Sequence, residues 1–155
     1  MAGDSDPMNA APSSATPTQR RSRSRVFGVL TACIAVVLAG ASVAGYALAV
    51  TAPESMGFAL TTTVLTLLAG VLAVLAFQSA QRYPDTLPLS GPLRLLAVLS
   101  IVVATAGAAI TIVIGVAHGS VPAVVLALVA FVAGLVLFAL AAALYRFVIP
   151  GRSVD

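Results

Sequence analysis

The sequence predicts an all-α integral membrane protein, a four-helix transmembrane bundle built as two antiparallel hairpins with both termini cytoplasmic. Three observations predict it. Four long apolar runs lie near Val26–Val50, Gly57–Phe77, Leu95–Ala117 and Val121–Tyr145. At ~1.5 Å per helical residue, each is long enough to cross a hydrocarbon core of ~30 Å. Charge is confined to the segments between them: Glu54 is the only formal charge from Val26 to Gln81, and there is none from Leu95 to Tyr145. The composition, 60% apolar and 8% charged, leaves more apolar surface than a water-soluble fold of 155 residues can bury. The runs lack the period-two alternation of a membrane barrel, so helices are the spanning structure that remains.

The elements follow in chain order. Residues 1–25 read as a disordered cytoplasmic arm, because Met1–Gln19 is Ala, Ser, Thr, Pro and two Asp, with too little apolar surface to offset the entropy of ordering. The arm ends in Arg20, Arg21, Arg23 and Arg25, which sit against the membrane surface and orient the first span. Ala47-Leu48-Ala49 has the pattern of a signal-peptidase site, and Leu30-Thr31-Ala32-Cys33 that of a lipobox. The first follows an apolar stretch longer than a signal peptide uses and the second one that is too short, so the first run reads as an uncleaved anchor.

Pro53 stops the first helix, and Ser55 is placed to cap the second. The second loop, Gln78–Pro92, carries Arg82 and three prolines, and Ser90 reads as the start of the third helix ahead of Arg94. His118-Gly119-Ser120 is a turn tight enough to make the third and fourth runs an antiparallel hairpin. The four-span domain is thus expected over 26–149, with a short cytoplasmic tail at 150–155. All eight basic residues are Arg, and all lie in the arm, the second loop and its flank, or the C-terminal stretch Arg146–Asp155; the two alternate loops hold none. By the positive-inside bias this puts both termini in the cytoplasm. The absence of Lys beside abundant Ala and Val points to a bacterial chain, hence to a bacterial cytoplasmic (inner) membrane.

The chemistry-bearing residues are few. One Cys and one His provide no disulfide, no CxxC and no metal-ligand cluster, so no metal and no cofactor is expected. No ionisable group lies near the middle of a run, which argues against proton or sodium coupling. There is no Ser-His-Asp set, no paired carboxylates and no phosphate-binding glycine loop, so no catalytic residue is assigned. The Arg cluster is accounted for by the membrane surface, and no nucleic-acid partner is expected.

What the runs do contain is small and hydroxylic residues. Thr62, Thr66 and Gly70 recur every four residues on one stripe of the second run, and Gly107, Thr111 and Gly115 on one of the third. Ser100, Ala104 and Ala108 form another stripe, matched by Ala123, Ala127 and Ala130 in the fourth. Such stripes let helix backbones approach closely in lipid. They are candidate packing faces, within the bundle or toward another membrane protein or a second copy. The expected function is therefore a non-catalytic accessory subunit, assembly factor or scaffold of a larger membrane complex. The alternative is a small oligomeric channel or carrier for a neutral or lipid-like substrate along a Thr-lined path; an enzyme of lipid chemistry has least support.

The orientation is testable by labelling. With Cys33 replaced by Ala, Glu54→Cys and His118→Cys are expected to react with a membrane-impermeant maleimide in intact cells, and Tyr83→Cys only after permeabilisation. Reaction at position 83 from outside overturns the orientation.

Overall fold

The computed structural model describes residues 17–81 and 90–148, and all of their regular secondary structure is helical. Helix α1 spans Pro17–Ala49, α2 Met56–Gln81, α3 Ser90–Ala117 and α4 Val121–Val148. Each contains a segment long and apolar enough to cross a membrane, the property of a multi-pass membrane protein. The second-loop residues 82–89, with Arg82, and the ends 1–16 and 149–155, with Arg152, lie outside the described residues.

Helix α1 begins earlier than expected. Arg20–Arg25, assigned to the disordered arm, are helical and continuous with the first span. Propagation explains this, since once a span is helical each added residue gains a backbone hydrogen bond, and Arg and Gln are good helix formers. Helix α3 starts at Ser90, the expected start, and takes Arg94 into its first turns.

The connections differ from the expected caps. Pro53–Ser55 forms a short 3₁₀ turn, and the Ser55 hydroxyl donates to the Ala52 carbonyl at 2.8 Å instead of capping α2. Proline fixes φ at the first position of that turn, and Ser55 closes it. Between α3 and α4, Gly119 adopts φ 65°, a left-handed conformation that only glycine takes at little cost. Ser120 N–H donates to Gly115 O at 2.8 Å and Gly119 N–H to Val116 O at 3.1 Å, the paired bonds of a Schellman ending.

Helix α1 packs chiefly on α2, and α3 chiefly on α4; α2 also touches α3 and α4, whereas α1 and α3 are not in contact. Helix α2 is the hub and the most buried span. Small residues make close contacts along the helix pairs, and a leucine cluster fills the core. Near the turns, Gly45 lies against Phe58 and Ala59, and Gly115 against Ala123. Farther along, Gly134 packs on Ala104 and the Ser100 carbonyl. Through the middle of the bundle and toward the end where α1 and α3 begin, the space is filled by Leu65, Leu68, Leu72, Leu93, Leu96, Leu137 and Leu144. Glycine and alanine let backbones approach closely, and leucines fill the remaining space.

The valines and leucines left uncovered, such as Val36 and Val37 at 72% and 71% exposure, are suited to lipid tails. Truncation separates the two environments. Leu65→Ala, at a fully buried site, is expected to lower the unfolding free energy by ~2–5 kcal/mol. Val37→Ala is expected to change it by less than ~0.5 kcal/mol. Equal effects in denaturant titrations of the detergent-solubilised protein would show that the packed and lipid-facing sides are misassigned.

Candidate functional site

The residues singled out as packing faces are split by the structure among three environments. Thr62 is buried, with its hydroxyl shared between the Phe58 and Ala59 carbonyls at 2.9 and 3.0 Å. Thr66 is half-buried and donates to Thr62 O at 2.7 Å. At Gly70 no atom of another element lies within 4 Å of where a Cβ would stand. The stripe therefore begins inside the bundle and ends on its surface. Four residues advance a helix by about 40° beyond one full turn, so a spacing of four drifts around the axis. The same drift divides the other stripe: Gly107 and Thr111 face α2, whereas Gly115 faces Ala123 of α4.

Gly107 and Thr111 meet Gly57 and Thr61 of α2 in a reciprocal arrangement. A Cβ at Gly57 would stand 2.7 Å from Thr111 Oγ1, and one at Gly107 would overlap the Thr61 side chain. Thr61 Oγ1 donates to Gly57 O at 2.7 Å and Thr111 Oγ1 to Gly107 O at 2.8 Å. Each threonine thus bonds the carbonyl of the glycine one turn earlier on its own helix while packing against the glycine of the other helix. Thr61 and Thr111 are both buried. Gly57 and Thr61 were not on the expected stripes, yet the signal is there to read: Gly-xxx-Thr occurs at 57–61 and again at 107–111.

The remaining buried hydroxyls follow the same economy. Thr31 donates to Phe27 O and Ser100 to Leu96 O, each at 2.7 Å. One hydroxyl pair bridges two helices: Ser42 Oγ and Thr63 Oγ1 lie 2.6 Å apart across α1 and α2. The Thr63 hydroxyl also lies 2.8 Å from Ala59 O and 3.4 Å from the Tyr46 hydroxyl. Among the described residues no buried side-chain nitrogen or oxygen lacks a hydrogen-bond partner, and no group of His, Cys, Asp or Glu is gathered that could hold a metal ion.

Charge sits at the ends. Arg23, Arg25, Arg94 and Arg146 lie at the end where α1 and α3 start and α4 finishes, opposite Glu54 and His118. Arg20 and Arg21 are on the same helical flank, their side chains outside the described residues. The Arg94 guanidinium stacks on the Tyr145 ring, 5.5 Å from its centroid. His118 Nδ1 lies 2.9 Å from Ile114 O, so the ring helps finish α3. Cys33 is exposed on α1. Comparisons with protein-family models, curated proteins and solved structures give no match for this chain.

Glycine substitutions separate the junction from the open stripe. Gly107→Ala is expected to cost ~1–3 kcal/mol through overlap with Thr61. Adding Thr61→Ala should recover part of that loss, giving a coupling of ~0.5–3 kcal/mol in a double-mutant cycle. Gly70→Ala is expected to be neutral, or stabilising by up to ~1 kcal/mol. Strict additivity of the Gly107 and Thr61 effects would sink the proposed contact.

Proposed function

We propose that this chain is a non-catalytic membrane subunit, assembly factor or scaffold that packs against other membrane proteins. In this reading it is a bundle of two antiparallel hairpins with both termini cytoplasmic, in a bacterial inner membrane. The contacts Gly28–Phe77 and Gly45–Ala59, with Gly134–Ala104 and Arg94–Tyr145, favour antiparallel pairs. The gathering of the described arginines at one end favours the orientation.

The observation that carries the reading is the division of the glycines. Gly28, Gly45, Gly57, Gly107, Gly115 and Gly134 are each covered by a neighbouring helix or turn, whereas Gly40 on α1 and Gly70 on α2 have nothing within 4 Å. Glycine within a helix costs about 0.5–1 kcal/mol relative to Ala, which close backbone approach offsets. At Gly40 and Gly70 no helix of this chain supplies that approach, so a helix of another protein or copy is the natural complement. The carrier reading draws less support, because the Thr62 and Thr66 hydroxyls already bond carbonyls of their own helix.

Purification in mild detergent is expected to retain one or more membrane proteins in fixed ratio. Gly70→Leu and Gly40→Leu should each reduce that retention severalfold while leaving the chain's own melting temperature within a few degrees. A chain that purifies as a lone homo-oligomer and moves solute in liposomes, with Thr62→Val/Thr66→Val impairing the movement, overturns the scaffold reading in favour of the carrier.

A further inference from the structure

We infer that the α3–α4 groove beside Arg94 is a binding site for one anionic phospholipid. The groove has a volume of about 190 Å³ and opens sideways from the bundle. Its floor is Ala97 and Ala141, which are buried, with half-buried Ala142 beside them. Exposed Val98 and Phe138 form its rims. Small residues on facing turns make the depression, and the larger ones beside it give it walls. Arg94 and Tyr145 close it at the end where α3 begins and α4 finishes.

This order matches the two chemistries of a lipid. Val98 lies one helical turn beyond Arg94, and Phe138 lies two turns before Tyr145, so the groove runs from a polar end toward the membrane interior along the helix axes. An acyl chain fits the apolar part. A phosphate fits the polar end, because Arg94 is exposed and stacked on Tyr145, which orients the guanidinium. A stacked guanidinium keeps its N–H edge for bidentate bonding to a phosphate. No carboxylate among the described residues is paired with it. Arg94 therefore places a positive charge at this end of the groove, which favours a net-negative headgroup over a zwitterionic one. The inference rests on membrane insertion and is independent of which leaflet holds this end and of any protein partner.

The test uses the full chain in detergent with added phosphatidylglycerol or phosphatidylcholine, read by native mass spectrometry. One phosphatidylglycerol is expected to be retained in preference to phosphatidylcholine. Arg94→Gln should weaken this retention by roughly tenfold, the scale of one charge-assisted bond, and Arg94→Lys should keep part of it. Ala142→Leu, which fills the groove and leaves the charge in place, should reduce it as well; thermal melting confirms that each variant is folded. Equal retention of the two lipids, undiminished binding by Arg94→Gln, or insensitivity to Ala142→Leu overturns the assignment.

Discussion

The contact between Gly57 and Thr61 on α2 and Thr111 and Gly107 on α3 is the constraint on which the bundle depends. Helices α2 and α4 each touch all three other spans, whereas α1 and α3 do not meet, and α2–α3 is the most extensive contact between the two pairs. The α2–α3 junction is thus the largest of the contacts that join one helix pair to the other. In lipid, burying apolar surface between helices gains little, because the tails are as apolar as leucine. Close backbone approach must supply the attraction, and glycine opposite a self-bonded threonine provides it. The arrangement also solves a polar problem, since each threonine hydroxyl is satisfied by its own helix before it reaches the neighbour.

Beyond that junction the packing combines close small-residue contacts with a leucine core. Gly45 on Ala59 and Gly115 on Ala123 make close contacts near the turns, while the leucine cluster runs through the middle toward the other end. The Ser42–Thr63 bond adds a polar tie within α1–α2. The interior is occupied by these arrangements, with its hydroxyls already bonded. Features that point to ligands or partners are consequently at the surface and at the ends: uncovered Gly40 and Gly70, and the Arg94–Tyr145 pair above its groove.

Much of the fold was legible because membrane insertion acts on composition. A run without charge and of sufficient length needs no tertiary context to be recognised as a span. Two of the small-residue stripes were legible in the same way: Ser100, Ala104 and Ala108, with Ala123, Ala127 and Ala130, are all buried. The helical Arg flank was not, since polar composition speaks for disorder while helix propagation from an adjacent span is a property of the chain as folded. Ser55 was misread because a hydroxyl beside a proline can close a turn as readily as cap a helix.

The sequence by itself determined the four spans, the segregation of arginine to alternate segments and the stock of small residues available for close packing. These depend on transfer between water and hydrocarbon, a sum over residues that no neighbour changes. Tertiary structure alone decided which glycine meets which threonine, why Gly107 is covered and Gly70 is not, and that Arg94 stands over Tyr145 at the mouth of a groove. Those outcomes depend on helix rotation and mutual approach. A four-residue spacing drifts about 40° per repeat, so one periodic stripe can begin in a helix crossing and end facing lipid.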